Sequence, residues 1–166
     1  MGRGNGNVHA LHTRLVSGAT QRDKMKIRNV AIVIFYDQDL NILVQERGEY
    51  SKVGEKYGFF GGQIKEGEEP EEAMERELLE EINFIPKDLQ YWLKYSYIIP
   101  EEGLYKDWLV NCSVFLAPVT KELENCQVSE GKGMLKISLE KVIEEDGFPK
   151  NSTAFLKGLR KKLCSP

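Results

Sequence analysis

The chain has little of several things that usually announce a function. It holds two histidines, His9 and His12, both near its start. Any general base in the folded part must therefore be a carboxylate or a metal-held hydroxide rather than an imidazole. Cysteine is scarce as well: Cys112, Cys126 and Cys164 are odd in number, and their spacing matches no zinc motif. Reduced thiols in a cytoplasmic protein are the reading that follows, with Cys112 a small core residue in an apolar run. No run approaches the roughly 20 apolar residues of a membrane span, and the N-terminus lacks the apolar stretch of a signal peptide. Positive charge is not in excess. The net charge of −3 gives no reason to expect a nucleic-acid polymer or an anionic membrane as partner. Internal repeats and low-complexity segments are missing too.

What is present suits one domain. At 166 residues the chain is long enough to bury a sizeable core. Residues 1–24 are rich in Gly, Asn, Thr and Arg and read as a poorly ordered extension, so the domain is expected over 25–166. Ile27 to Tyr36 is β-branched and nearly continuous, as in a buried strand. Asp37-Gln38-Asp39 is a turn, and Leu40 to Glu46 completes a hairpin. Arg47 to Tyr57 is polar and reads as a loop. Tyr57 to Phe60 is a short strand leading into Gly61-Gly62. Leu89 to Ile99 and Tyr105 to Ala117 form a second hairpin, with Tyr91, Leu93, Tyr95 and Tyr97 on one face of the first strand. Pro118 to Gln127 is a loop, Met134 to Ile137 a strand, and Leu139 to Glu145 a helix. A last helix starts near Asn151 and ends near Leu163. Strands with interleaved helices predict an α+β fold, a mixed sheet sandwiched between helices.

The most informative stretch lies between Gly61 and Phe84. Pro70 suits the first position of a helix, where its missing N–H costs nothing. Glu69 is a mediocre N-cap, with Glu72 placed for a capping box. Glu71 and Glu72 sit where the helix dipole favours negative charge. Asn83 falls where the helix should end in the left-handed conformation, which Asn tolerates best after Gly. The far end is anomalous. Glu77, Glu80 and Glu81 fall at about 0°, 300° and 40° around the axis and so share one face at the negative pole. Three carboxylates there repel each other, and a multivalent cation among them would relieve the repulsion.

Gly62, Glu68, Arg76-Glu77, Leu78, Glu80-Glu81 and Phe84 together resemble the Nudix box: Gly, five residues, Glu, seven residues, Arg-Glu, an apolar residue, any residue, Glu-Glu, any residue, Gly, apolar. Only Asn83 departs from it, standing for Gly. A plain solvated helix face would have to produce six specified identities by chance, on the order of 10⁻⁶ per starting position.

The resemblance implies the Nudix fold and hydrolysis of a pyrophosphate bond in a nucleoside diphosphate derivative. It also implies Mg²⁺, or Mn²⁺, held by hard carboxylate oxygens. By position, Glu80 and Glu81 should be the main metal ligands, and Glu77 a further ligand or the base. The carbonyl of Gly61 and a loop carboxylate, Glu130, join them, Glu130 as ligand or base. Arg76 resembles the arginine that orients the catalytic Glu, and Glu68 either braces the loop or binds a further metal. Arg28, Arg47 and Lys52 are candidate phosphate contacts. Tyr57, Phe59, Tyr95, Tyr97 and Trp108 are candidates for a base-stacking platform.

A short domain with little besides the box resembles members acting on nucleoside triphosphates, oxidised ones included. Pro100 leaves ADP-ribose open, and Tyr97 and Tyr105 a dinucleoside polyphosphate. A non-catalytic nucleotide-binding regulator stays in view, although such proteins usually have damaged carboxylates and these are intact. A homodimer is left open.

Overall fold

The computed structural model describes residues 25–51, 55–100, 104–129, 131–144, 148 and 152–164. The extension expected over residues 1–24 therefore lies outside the described residues.

The fold is built around strand β1 (Ile27–Tyr36). It runs parallel to β6 (Leu109–Pro118) along its whole length, from Ile27↔Leu109 to Tyr36↔Pro118. Its other edge is shared. β4 (Phe60–Gln63) pairs antiparallel with Val30–Val33, while β2 (Asn41–Glu46) takes Phe35 and Tyr36. β2 continues the sheet to β3 (Tyr57–Gly58) and β7 (Gly133–Ser138), and β5 (Gln90–Ile98) forms the outer edge against β6. Among the described residues the sheet is mixed and has seven strands, that of the expected α+β architecture.

Side chains alternate along β1, so each face feeds its own core. Val30, Ile32 and Ile34 point to one core, which they share with Val114, Phe155, Leu156 and Leu159 under the helices α3 (Leu139–Glu144) and α4 (Ser152–Cys164). Ala31, Val33 and Phe35 point to the other. There they meet Ala73, Met74, Leu78 and Ile82 of helix α1 (Pro70–Ile82) and Leu123 of the short helix α2 (Lys121–Glu124). Cys112 is buried in the first core, and burial pushes its thiol up to about 12. It packs as a small apolar residue rather than a reactive one.

Helix α1 has the predicted bounds. The Glu69 main-chain N–H donates to Glu72 Oε2 at 3.0 Å, and Asn83 ends the helix at φ 51°, ψ 39°. Four local differences from the sequence reading have physical reasons. The strand into the box does not stop at Phe60 but runs through both glycines to Gln63. Gly61 has φ +128°, and a Cβ there would collide with the Ala31 carbonyl of β1, so only glycine lets the two strands close. The stretch 118–127 is not all loop: Thr120 Oγ1 accepts from Leu123 N–H and caps α2. β6 starts at Leu109 rather than Tyr105, because Asp107 at φ 62° and the Trp108 N–H to Tyr105 carbonyl bond make a turn there. Finally, a bulge between Tyr91 and Leu93 breaks the alternation expected in β5. Tyr91 packs edge-on against Phe115 of the α1-side core, whereas Trp92, Leu93 and Tyr95 pack on the opposite core.

Candidate active site

α1 is held against β4 and β1 by its apolar stripe, and this presses its carboxylates onto the glycine pair. The three acidic residues of the last turns differ in depth, since their face lies obliquely to the sheet. Glu81 is 6% exposed, on the buried stripe with Leu78 and Ile82. Its Oε2 accepts from the Gly61 main-chain N–H at 2.8 Å. Glu77, whose side chain is 16% exposed, lies over Gly62; a Cβ at Gly62 would stand 2.5 Å from Glu77 Oε2. Glu80 is the outermost, with 56% of its side chain exposed.

Arg76 ties this edge together. Its Nε donates to Glu68 Oε1 at 2.7 Å, and Nη2 donates to Glu68 Oε2 and to the Gln63 carbonyl, both at 2.9 Å. Nη1 donates to Glu77 Oε1 at 2.6 Å and reaches Glu80 Oε1 at 3.5 Å. These hydrogen bonds, that to Glu68 foremost, raise the Arg76 pKa above its ordinary value. The same guanidinium, aided by the Lys65 N–H, lowers Glu68 to about 2. The repulsion inferred from the sequence is thus partly answered within the chain: Arg76 neutralises Glu77, and the Gly61 N–H serves Glu81.

The glycine pair and the carboxylates fit a hard cation. They offer oxygen donors, and the cradle between Gly62 and Glu77 is space that any Cβ would fill. Among the described residues, no three acidic, Cys or His side chains are gathered closely enough to hold an ion alone. Glu130 and Lys52 lie outside the described residues. The neighbour of Glu130, Ser129, donates its N–H to the Glu81 carbonyl at 2.7 Å and fastens that loop to the end of α1.

The structure separates the two candidate arginines. Arg47 follows the end of β2, its guanidinium packed over Gly58 and Nη2 3.5 Å from the Phe59 carbonyl. Its Nε is buried without a hydrogen bond. Arg28 falls in the alternation of Val30 and Ile32 on the sheet face opposite α1, and its guanidinium stacks over Tyr105 at 4.9 Å. The expected aromatic platform is corrected in part. Tyr57 and Phe59 are core residues, 6% and 7% exposed, because Phe148 packs over both rings. Tyr95 leans on Phe155, and Trp108 on Tyr105. The sequence reading missed the Gln63 carbonyl and the Lys65 N–H, main-chain groups that leave no mark in residue identity.

A profile of the NUDIX domain matches residues 25–157. The chain belongs to the Nudix family. Among curated relatives, this Nudix chain is 32% identical over 80 residues to the 8-oxo-dGTP diphosphatase of Escherichia coli (strain K12). The match spans 48% of this chain and 62% of that protein, less than two thirds of its length. Among solved structures, the MutT protein of Methanosarcina mazei Go1 superposes with a TM-score of 0.66 at 18% identity, covering 86% of this chain and 99% of that one. The NUDIX domain of Shewanella oneidensis NrtR, complexed with ADP ribose, gives 0.61 at 17% identity, covering 84% and 89%. At such identities the likeness is one of fold, and the Nudix fold found here is theirs. No helix among the described residues is long and apolar enough to cross a membrane.

Proposed function

We propose that the protein hydrolyses a pyrophosphate bond in a nucleoside triphosphate, including triphosphates with an oxidised or modified base, giving the monophosphate and pyrophosphate. One observation carries the reading. Two carboxylates from successive turns of α1, Glu77 and Glu81, meet the Gly61-Gly62 edge of β4, where no side chain intervenes. The partial likeness to an 8-oxo-dGTP diphosphatase supports the choice of substrate class.

In this reading Glu80, Glu81, Glu77, Glu130 and the Gly61 carbonyl hold Mg²⁺ or Mn²⁺. When bound, the metal neutralises phosphate charge and makes water more acidic. The chain does the rest. Glu77 accepts a proton from the attacking water, as no histidine lies among the described residues. Arg76 fixes the Glu77 carboxylate through Nη1, at 2.6 Å, so that the acceptor need not reorganise. The Gly61 N–H holds Glu81 in its buried rotamer. Arg47 contacts phosphate through the outer edge of its guanidinium. Arg28, the other candidate phosphate contact, lies on the opposite sheet face with its guanidinium over Tyr105.

A nucleotide panel with Mg²⁺ or Mn²⁺, followed by phosphorus NMR, tests the proposal. The expected result is metal-dependent release of monophosphate and pyrophosphate from at least one nucleoside triphosphate. Products from ADP-ribose or a dinucleoside polyphosphate alone would overturn the substrate class. Nucleotide binding without any product would overturn hydrolysis.

A further inference from the structure

Several cations of the chain are answered by carboxylates. Arg76 meets Glu68 and Glu77, Lys136 meets Glu124 and Asp37, and Arg160 meets Glu140. Arg47 and Lys132 differ: neither forms an ion pair with another described residue. Yet the fold brings these two together. The last pair between β2 and β7 is Glu46↔Gly133, and the Lys132 N–H donates to the Glu46 carbonyl at 2.8 Å. One residue beyond that pair, the exposed Lys132 stands beside Arg47-Gly48. Two cations thus flank the end of one strand pair, where like charges repel.

The lysine is held there by its stem. Gly48 has φ +55°, and a Cβ on it would stand 2.8 Å from Lys132 Cε and 3.1 Å from Cγ. The stem therefore lies along the glycine and leaves the ammonium at the rim, as long basic side chains do when their methylenes find cover. The same segment reaches the carboxylate site from its other end. The Ser129 N–H donates to the Glu81 carbonyl at 2.7 Å, so residues 129–132 run from the last turn of α1 to the end of β2. An anion between the two cations would relieve their repulsion. A guanidinium offers a planar set of donors and an ammonium a compact point charge, and both suit phosphate oxygens.

We propose that Lys132 is a substrate-binding residue: its ammonium, together with the Arg47 guanidinium, receives the polyphosphate chain of the substrate. The identity of the anion rests on the hydrolytic reading above, whereas the pairing of the two cations does not. Lys132 acts on binding rather than on the chemical step, because the attacking water and its acceptor Glu77 lie elsewhere.

The test compares the full chain with Lys132→Met and Lys132→Arg. Methionine keeps a stem to lie over Gly48 and removes the charge; arginine restores it. Each protein is assayed for kcat and KM on the best nucleoside triphosphate of the panel, and for binding of inorganic pyrophosphate with Mg²⁺ by calorimetry. Lys132→Met is expected to raise KM and the pyrophosphate Kd about tenfold, the scale of one charge-assisted hydrogen bond. Its kcat should stay within about threefold of wild type, the pattern of an interaction made equally in the ground and transition states. Lys132→Arg should recover both constants to within about threefold. Wild-type KM and pyrophosphate affinity in folded Lys132→Met would overturn the proposal. So would a tenfold fall in kcat with KM unchanged. If Lys132→Met fails to fold, Lys132→Gln is read by the same criteria. Should the wild type hydrolyse no nucleotide, the hydrolytic reading fails. Pyrophosphate binding then decides Lys132 alone, and equal affinity in wild type and Lys132→Met, or none in either, rejects it.

Discussion

Glu81 Oε2 and the Gly61 main-chain N–H meet at 2.8 Å across 20 residues of sequence. The bond joins the last turn of α1 to the strand that enters the motif. It orients a carboxylate without using a second side chain, and it leaves the Glu81 main-chain carbonyl to the Ser129 N–H. The end of α1 is thereby fixed to both segments that flank it.

The two glycines should fail differently when given a methyl group. A Cβ at Gly61 strikes the main chain of β1, at a φ of +128° that other residues avoid. Gly61→Ala is expected to cost about 2 kcal/mol or more in urea denaturation, since strain and collision add. A Cβ at Gly62 strikes the Glu77 carboxylate at 2.5 Å, the movable end of a side chain. Gly62→Ala should stay folded and lose activity, because Glu77 must leave its place. Equal melting temperatures for the two variants would contradict this division.

Asn83 occupies the left-handed conformation, where the family pattern has glycine. Asn83→Ala should destabilise the protein by about 1 kcal/mol, because a Cβ without a compensating amide raises the energy of that conformation. Asn83→Gly should change stability by less than about 1 kcal/mol in either direction, as relief of strain opposes added chain entropy. Urea midpoints of the three proteins check both values.

The lowered pKa of Glu68, about 2 against an ordinary 4.5, has a definite sign. The folded state holds the ionised form more strongly than the unfolded state does. The resulting stability is complete above pH 4.5 and disappears as pH falls from there toward 2. Thermal scans of wild type and Glu68→Gln should therefore differ most near neutral pH and converge only as pH falls to about 2 and below. A gap that widened on acidification would contradict the assignment of the Arg76 fork.

Helix α1 was legible residue by residue, because its signals are local: Pro70 at the start, an acidic first turn, Asn83 at the end. The alternation of β1 was legible for the same reason. The bulge in β5 was not, since a slip of one residue depends on pairing with β6 and leaves Tyr91 to Tyr97 looking evenly alternating. Tyr57 and Phe59 look alike as core or as stacking surface until the position of Phe148 is known. Within the site, the motif named Glu77, Glu81 and Arg76. It did not reveal that Arg76 reaches back to Glu68 and to the Gln63 carbonyl, contacts made through folding.

The most direct measurement compares turnover of wild type and Glu81→Gln on the best nucleoside triphosphate of the panel, with and without Mg²⁺. Gln keeps an oxygen for the Gly61 N–H, so the variant should melt close to wild type. It removes the charge, so Mg²⁺-dependent turnover should fall about a hundredfold or more, a loss of roughly 3 kcal/mol in transition-state stabilisation. Wild-type turnover by a folded Glu81→Gln protein would contradict the account.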